Sequence, residues 1–284
     1  ELLETARTRG VSLKYEAACG GGIPWISNLD RTKRIDDIES FRGIFNGTTN
    51  YILSKMSDEG SEFVVALKEA QDCGYAEFDP SDDIDGMDTA YKVVLSNCKG
   101  FGILANIQDI DIYGIRHISA KDIAYACKHG YVCKLIGSGV KSDSSVSGTV
   151  IPTFIPKQNI FATIPANFNA IESDSKTLGK MTYVGQGAGS YPTAHAVVQD
   201  LIDLVLHQDT EVSFGESICV DNKSRVSSFY VRSVNLNRME EVIEERIDED
   251  TCITKRISFV ELASMMKTLE DDAVFVAEVM HDCK

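Results

Sequence analysis

The sequence predicts an α+β protein, a mixed β-sheet with helices packed on one face, followed by a small βα-rich C-terminal segment. Three observations predict it. Runs of strand length lie at 38–45, 131–140, 147–154, 167–173 and 180–184. Stretches with apolar residues three and four apart, such as 62–73 and 87–99, lie among them. No internal repeat or low-complexity segment interrupts either kind.

Taken in order, residues 1–9 read as the end of a helix, and 11–18 as a strand leading into Cys19-Gly20-Gly21-Gly22-Ile23-Pro24. After a charged stretch, the strand 38–45 ends in Asn46-Gly47-Thr48-Thr49, where a threonine can cap a helix over 50–56. The helix 62–73 puts Phe63, Ala66, Leu67 and Ala70 on one face and stops at Gly74. An acidic, turn-rich stretch, 75–86, feeds a helix over 87–99 with Met87, Ala90, Tyr91, Val94 and Cys98 as its apolar stripe, closed by Gly100. Ser119-x-x-Asp122 has capping-box spacing and opens a helix that ends at Gly130. The glycine-rich turn Gly185-Gln186-Gly187-Ala188-Gly189 joins the strand 180–184 to a helix that has Pro192 in its first turn and runs to about 206.

A domain boundary is expected near 208–226. Beyond it the pattern reads as a strand at 229–234, an acidic helix at 238–246, a strand at 251–257, a helix opened by the Ser258-x-x-Glu261 box, and a last strand at 273–279. Leu262, Met265, Met266 and Leu269 face inward on that last helix. The acidic run 240–250 reads as a solvated face.

The 284 residues are 43% hydrophobic and 25% charged, which is globular composition and excludes a disordered or fibrous chain. With 28 basic against 43 acidic residues the formal charge is −15, a field that repels phosphate backbones and anionic lipid, so neither a nucleic-acid nor a membrane partner is expected. Apolar runs fall well short of the roughly 20 residues that span a bilayer. The opening ELLETARTRG has neither a signal-peptide core nor an initiating methionine, so the chain reads as beginning within a longer protein. Eight cysteines without a CxxC pair are expected as free thiols in a reducing, cytoplasmic setting.

The densest chemistry lies at 74–92, GYAEFDPSDDIDGMDTAYK, where Glu77, Asp79, Asp82, Asp83, Asp85 and Asp88 precede Lys92. A calcium-hand loop fails, because the frame placing Gly86 sixth has Ser81 first and Lys92 twelfth. Asp88 and Lys92 are four apart on the expected helix, so they project from neighbouring turns at the edge of its apolar stripe. By spacing alone this is an ordinary ion pair worth about 0.2–0.5 kcal/mol. Among so many carboxylates, however, their charge favours the protonated lysine that a general acid donating to a developing alkoxide requires, while desolvation would pull the other way. Gly20-Gly21-Gly22 lacks the lysine and hydroxyl residue of a phosphate-binding loop. The turn 185–189 has Ser190 where the dinucleotide fingerprint needs glycine. The histidines have no short-spaced metal-ligand companion, and no GxSxG turn occurs.

Four motifs in one order, YEAACGGGIP (15–24), NGTTNYIL (46–53), GYAEFDPSDDIDGMDTAYK (74–92) and GQGAGSYPTAHAVVQDL (185–201), resemble homoserine dehydrogenase over about residues 1–206. The resemblance implies NAD(P)-dependent interconversion of aspartate semialdehyde and homoserine, a step toward threonine, methionine and isoleucine. It implies Lys92 as the proton-transfer group, with Glu77 and Asp88 holding the substrate's amino group and polar end and Asp83 in support. It further implies Gly74 and Gly189 against the nicotinamide cofactor, NADP or NAD. A monovalent cation, Na or K, would be wrapped by the carbonyls of Glu16, Cys19, Gly21 and Ile23, and a homodimer would form on the sheet face away from the helices.

Against the family pattern, residues 1–14 read as the tail of a truncated Rossmann domain. Residues 15–207 are the catalytic, substrate and dimerisation domain, with helix 192–206 packing toward the cofactor domain. Residues 227–284 are an ACT-like domain that reads as incomplete, β-α-β-α-β instead of βαββαβ, with Asn235-Leu236-Asn237-Arg238 in place of its glycine turn, which counts against threonine sensing. The chain alone is expected to turn over little. The alternative is a non-catalytic, dimerising, effector-binding remnant that regulates another enzyme.

Overall fold

The structure is a computed structural model that describes residues 2–206 and 219–281. In chain order its helices and strands are α1 (Leu2–Arg9), α2 (Trp25–Lys33), β1 (Ile38–Ile44), α3 (Gly47–Glu59), α4 (Phe63–Asp72), α5 (Ser81–Ile84), α6 (Met87–Phe101), β2 (Asp111–Ile112), α7 (Ala120–Lys128), β3 (Tyr131–Lys141) and β4 (Ser145–Pro156). Then come β5 (Phe168–Ser175), β6 (Gly179–Gln186), α8 (Ser190–Val205), β7 (Cys219–Val220), β8 (Val226–Arg232), β9 (Ile243–Arg246), β10 (Thr251–Thr254), β11 (Ile257–Ser258), α9 (Phe259–Leu269) and β12 (Phe275–Val279).

Among the described residues the strands form one mixed sheet in the order β6-β5-β1-β3-β4-β12-β8-β10-β9. Neighbours are antiparallel except β4 and β12, which run parallel with Glu278 opposite Thr153 and Val279 opposite Phe154. The main core lies between the sheet and helices α2, α3, α4, α6 and α7, with Trp25, Phe41, Phe45, Leu53, Met56 and Leu135 at most 2% exposed. A smaller cluster of Ile44, Ile136, Ile155, Phe161 and Ala170 fills another side of the sheet. The mixed sheet with helices agrees with the sequence expectation.

Helix α6 can lie close to the sheet because the strands beneath it are glycine-rich. A Cβ on Gly137 would come 2.7 Å from Val93 Cγ2, one on Gly139 2.2 Å from Asn97 Oδ1, and one on Gly148 2.9 Å from Asn97 Nδ2. This floor fixes how near the helix approaches the sheet.

Several expected elements shift. Residues 11–18 are not a strand: they end in a 3-10 turn, Glu16–Ala18, because the Glu16 carboxylate accepts from the Ile26 and Ser27 amides and caps α2, a helix hidden in the charged stretch. Asn46, not a threonine, caps α3, its Oδ1 accepting from Thr49 N at 2.8 Å. Helix α6 passes through Gly100 and is closed by Gly102 at φ +69°. Both capping boxes form as expected.

The C-terminal unit is also corrected. The expected helix 238–246 is a 3-10 stretch, Leu236–Val242, kinked at Met239, followed by strand β9. Burying Leu236 and Met239 takes the chain off the helical path, and the acidic residues after them lie on a solvated edge strand. The missing strand is therefore present. The unit reads β8, 3-10 turn, β9, β10, the two-residue β11 paired to β8, α9 and β12, with its main strands in the order β12-β8-β10-β9. The expected boundary near 208–226 lies partly outside the described residues. From residue 219 onward the chain is stitched to the main sheet: β7 pairs with β4, and Asn222 accepts from Gly148 N and donates to Asp111 Oδ2. Asp122, fully buried, accepts from Ser119 N in its own cap and from Tyr230 and Arg232 of β8 at 2.8 and 2.9 Å.

Lys134 is buried, and its amine donates to three neutral oxygens, Asn50 Oδ1, Ser54 Oγ and Ile164 O, at 2.7, 3.1 and 2.9 Å. Burial pulls it down from the ordinary lysine value to about 8. Between that pH and the unfolded lysine's value of about 10.4 the folded protein holds fewer protons than the unfolded chain, so stability rises with pH through this window. Wild type is expected to gain on the order of 1–3 kcal/mol relative to Lys134→Met across that window. Urea unfolding of both proteins at each pH measures the difference, and parallel profiles would refute the assignment.

Candidate active site

The acidic stretch and the expected helix come together at the N-terminal end of α6. Gly86 precedes the helix at φ +87°, Asp88 lies in its first turn, where a carboxylate faces the positive end of the helix dipole, and Lys92 follows one turn later. The Lys92 side chain is 17% exposed, and its Nζ donates to Asp88 Oδ2 at 2.7 Å and to the Phe45 carbonyl at 2.9 Å. It does not point into bulk solvent. Asp83, on the short α5, joins through Asn46, whose Nδ2 donates to Asp83 Oδ1 at 2.6 Å and to Asp88 Oδ2 at 2.8 Å. Burial pushes the Asp83 carboxyl above the usual range and the Asp88 charge adds to this, against the pull of the Asn46 bond.

Glu77 stands apart from this cluster. Its side chain is exposed, and its backbone carbonyl accepts from Gln71 Nε2 at 3.0 Å. The neighbouring Tyr75 carbonyl accepts from Thr48 Oγ1 at 2.6 Å, so the backbone of this segment is tied to α3 and α4. Sequence reasoning missed Asn46 and the Phe45 carbonyl. The Asn at the end of a strand and three residues before Thr49 was the available signal, because Asn caps helices as readily as Ser or Thr.

The two glycine runs meet. Gly22 N donates to Gln186 O at 3.1 Å, and a Cβ on Gly21, at φ +59°, would lie 2.3 Å from the Gly187 carbonyl oxygen. A Cβ on Gly187 would lie 2.1 Å from Asn169. The runs are thus required by the contact of one backbone with another. Cys19 is fully buried beside them, with its Sγ 3.8 Å from Ser96 Oγ, and burial pushes the thiol up to about 12.

The two glycines implied in cofactor binding have room beside them. A Cβ on Gly74 would meet nothing within 4 Å, and one on Gly189, at the strand-to-helix turn, only Pro192 at 3.4 Å, so both backbones are open. Of the four carbonyls expected to wrap a cation, that of Glu16 accepts from Cys19 N and that of Ile23 from Trp25 N, each keeping a second lone pair. Glu16 N is held by Asp200 Oδ2 of α8 at 2.9 Å. Among the described residues no group of three or more His, Cys, Asp or Glu side chains could hold a metal ion.

The homoserine dehydrogenase family profile matches residues 24–202. The chain belongs to the homoserine dehydrogenase family. It is similar to the homoserine dehydrogenase of Synechocystis sp., 43% identical over 209 residues that make up 72% of this chain and 48% of that protein. It is also similar to that of Bacillus subtilis, 39% identical over 202 residues, 71% of this chain and 47% of that protein. The chain therefore spans about half the length of these relatives. The crystal structure of a homoserine dehydrogenase from Thiobacillus denitrificans superposes with a TM-score of 0.85 at 29% identity, covering 98% of this chain and 72% of that one. The Staphylococcus aureus homoserine dehydrogenase structure gives 0.72 at 31% identity, covering 98% and 71%. The structural likeness thus takes in the C-terminal unit, which the family profile does not reach. Among the described residues no helix is long and apolar enough to cross a membrane.

Gly21 and Gly74 separate two causes of glycine use. Gly21→Ala meets both a left-handed backbone and a fixed carbonyl, and is expected to cost about 2–5 kcal/mol. Gly74→Ala meets only the left-handed backbone, about 1–2 kcal/mol. Denaturant midpoints of the two variants check the order, and equal losses would contradict the packing argument.

Proposed function

We propose that this chain is the substrate-binding and proton-transfer part of an NAD(P)-dependent homoserine dehydrogenase. The observation that carries the reading is the Lys92 amine, drawn out of water and held between a backbone carbonyl and the Asp88 carboxylate. When bound, the nicotinamide supplies hydride transfer to or from the carbonyl carbon. Lys92 handles the oxygen: its ammonium stabilises the charge that develops on the semialdehyde oxygen and gives it a proton, and in the reverse direction the neutral amine takes the homoserine hydroxyl proton. Asp83 and Asp88 present negative charge to the substrate's α-ammonium, with Glu77 assigned to the same group by the resemblance.

Gly74 and Gly189 are proposed to lie against the cofactor, and the carbonyls of Glu16, Cys19, Gly21 and Ile23 to bind a monovalent cation. Helix α8, with Val197, Val198, Leu201, Ile202 and Val205 all exposed, supports packing against a nucleotide-binding domain. The homodimer belongs to the same proposal. The ACT-like reading of the C-terminal unit is part of the proposal and is supported by β8, β9, β10, α9 and β12, with the 3-10 stretch in place of a first helix.

To test the reading, the chain is joined behind the nucleotide-binding half of the Synechocystis relative. The hybrid is expected to reduce NAD(P) when given homoserine, and Lys92→Ala to lower kcat by about 10²–10⁴-fold. Because Asp83 is raised, homoserine affinity should fall with decreasing pH at values above the ordinary aspartate range of about 3.9. A Lys92→Ala hybrid that works at the unaltered rate would end the assignment.

A further inference from the structure

We infer that Asn46 is a positioning residue that holds the Asp88 carboxylate in place for Lys92, an inference that rests on Lys92 being the proton-transfer group. One buried amide makes three bonds. Its Oδ1 accepts from Thr49 N, and its Nδ2 donates to Asp83 Oδ1 and Asp88 Oδ2. The helix decides which way the amide faces, since only the oxygen can accept from the Thr49 N–H, and the NH₂ is thereby aimed at the carboxylates. Asp88 Oδ2 is also the oxygen that receives the Lys92 amine, so Asn46 and Lys92 grip one atom from two sides.

The preceding residue completes the arrangement. The Phe45 carbonyl accepts from Lys92 Nζ at 2.9 Å and from Asn169 Nδ2 at 3.0 Å, which ties the end of β1 to β5. Two consecutive residues thus set an acceptor for the amine and a donor for its counter-ion on one rigid strand-to-helix junction. Asn46 also bridges Asp83 and Asp88, like charges that would otherwise move apart. Among the described residues, the titratable groups facing Lys92 are Asp88, Asp83 and the buried Cys19 thiol.

Two substitutions isolate this role from helix capping. Asn46→Ser keeps an oxygen for Thr49 N and removes the NH₂. Asn46→Asp keeps size and acceptor but puts a third carboxylate beside the other two. The readout is the pH midpoint of Lys92 acetylation by acetic anhydride, followed by peptide mass spectrometry on the chain, with the exposed Lys128 as internal reference. Freed from its partner's fixed carboxylate, Lys92 in Asn46→Ser is expected to titrate about half a pH unit or more lower, and in Asn46→Asp the added charge is expected to raise it. Lys128 should stay put in both. Opposite shifts at Lys92 support the inference, since general damage to the fold would move Lys92 the same way in both variants. A Lys92 midpoint in Asn46→Ser equal to or above that of the unaltered chain overturns it. If Asn46→Ser does not fold, Asn46→Asp decides, a rise supporting positioning and no change refuting it. Opposite shifts together with a fully active Lys92→Ala hybrid would keep the positioning role while removing the enzymatic reading.

Discussion

A charged amine taken largely out of water must be given oxygen atoms by the protein, and that requirement organises the site. Lys92 receives a carboxylate from its own helix and a main-chain carbonyl from the end of β1. The helix can supply the carboxylate alone, because Asp88 lies four residues back. The carbonyl is available only if α6 lies close to the sheet and β1 ends at the right place. The first condition is met by Gly137, Gly139 and Gly148, which leave room for the helix. The second is met by Asn46, whose cap ends the strand and begins α3 in one residue. A site that looks like a surface ion pair in the sequence therefore depends on three strands and two helices.

The same sheet carries the C-terminal unit. Strand β4 pairs with β3 on one side and with β12 on the other, while β2 and β7 add short parallel pairings near its start. Buried polar groups close the junction. Arg225 donates to Ser138 and Thr149 and pairs with Glu278 at 3.0 Å, and Arg232 pairs with Asp122. A buried pair of this kind adds little net stability compared with apolar packing, but breaking one partner leaves a charge without compensation. The junction thus fixes one docking geometry. Gly148, in the stretch of β4 that Asn222 holds, lies under Asn97 of α6, so the segment after residue 219 and the helix that bears Lys92 meet the same strand.

The parts of this arrangement legible in the sequence were those set by local chemistry. The boxes Ser119-x-x-Asp122 and Ser258-x-x-Glu261, the stop at Gly74 and the Asp88–Lys92 spacing each depend on residues within one helical turn, and each forms. What escaped was set by partners far along the chain. Helix α2 is capped by Glu16 from ten residues away, which turned an expected strand into a 3-10 turn. Strand β9 looked helical because its glutamates fit either structure, and the burial of Met239 decides against a helix. Gly20–Gly22 stood out as a glycine run, yet nothing in the sequence could say that its neighbour is the turn 185–189. The cluster of carboxylates was visible as a composition. That Asp83 would join it while Glu77 would face solvent depends on where α5 packs.

The charge count of the cluster also explains why its tension is useful. Asp83 and Asp88 share one amide donor, and one ammonium pairs with Asp88, so with all three ionised a negative charge is left over. Burial raises Asp83, and the Asp88 charge adds to it. A ligand arriving with its own ammonium relieves the repulsion and favours the ionised form, and by reciprocity the ionised form binds that ligand better. A ligand without positive charge relieves nothing and must still displace water from the carboxylates. Under the proposed function, discrimination in favour of an amino acid would follow from the repulsion built into the site, while Phe45 and Asp88 hold the Lys92 amine in one place.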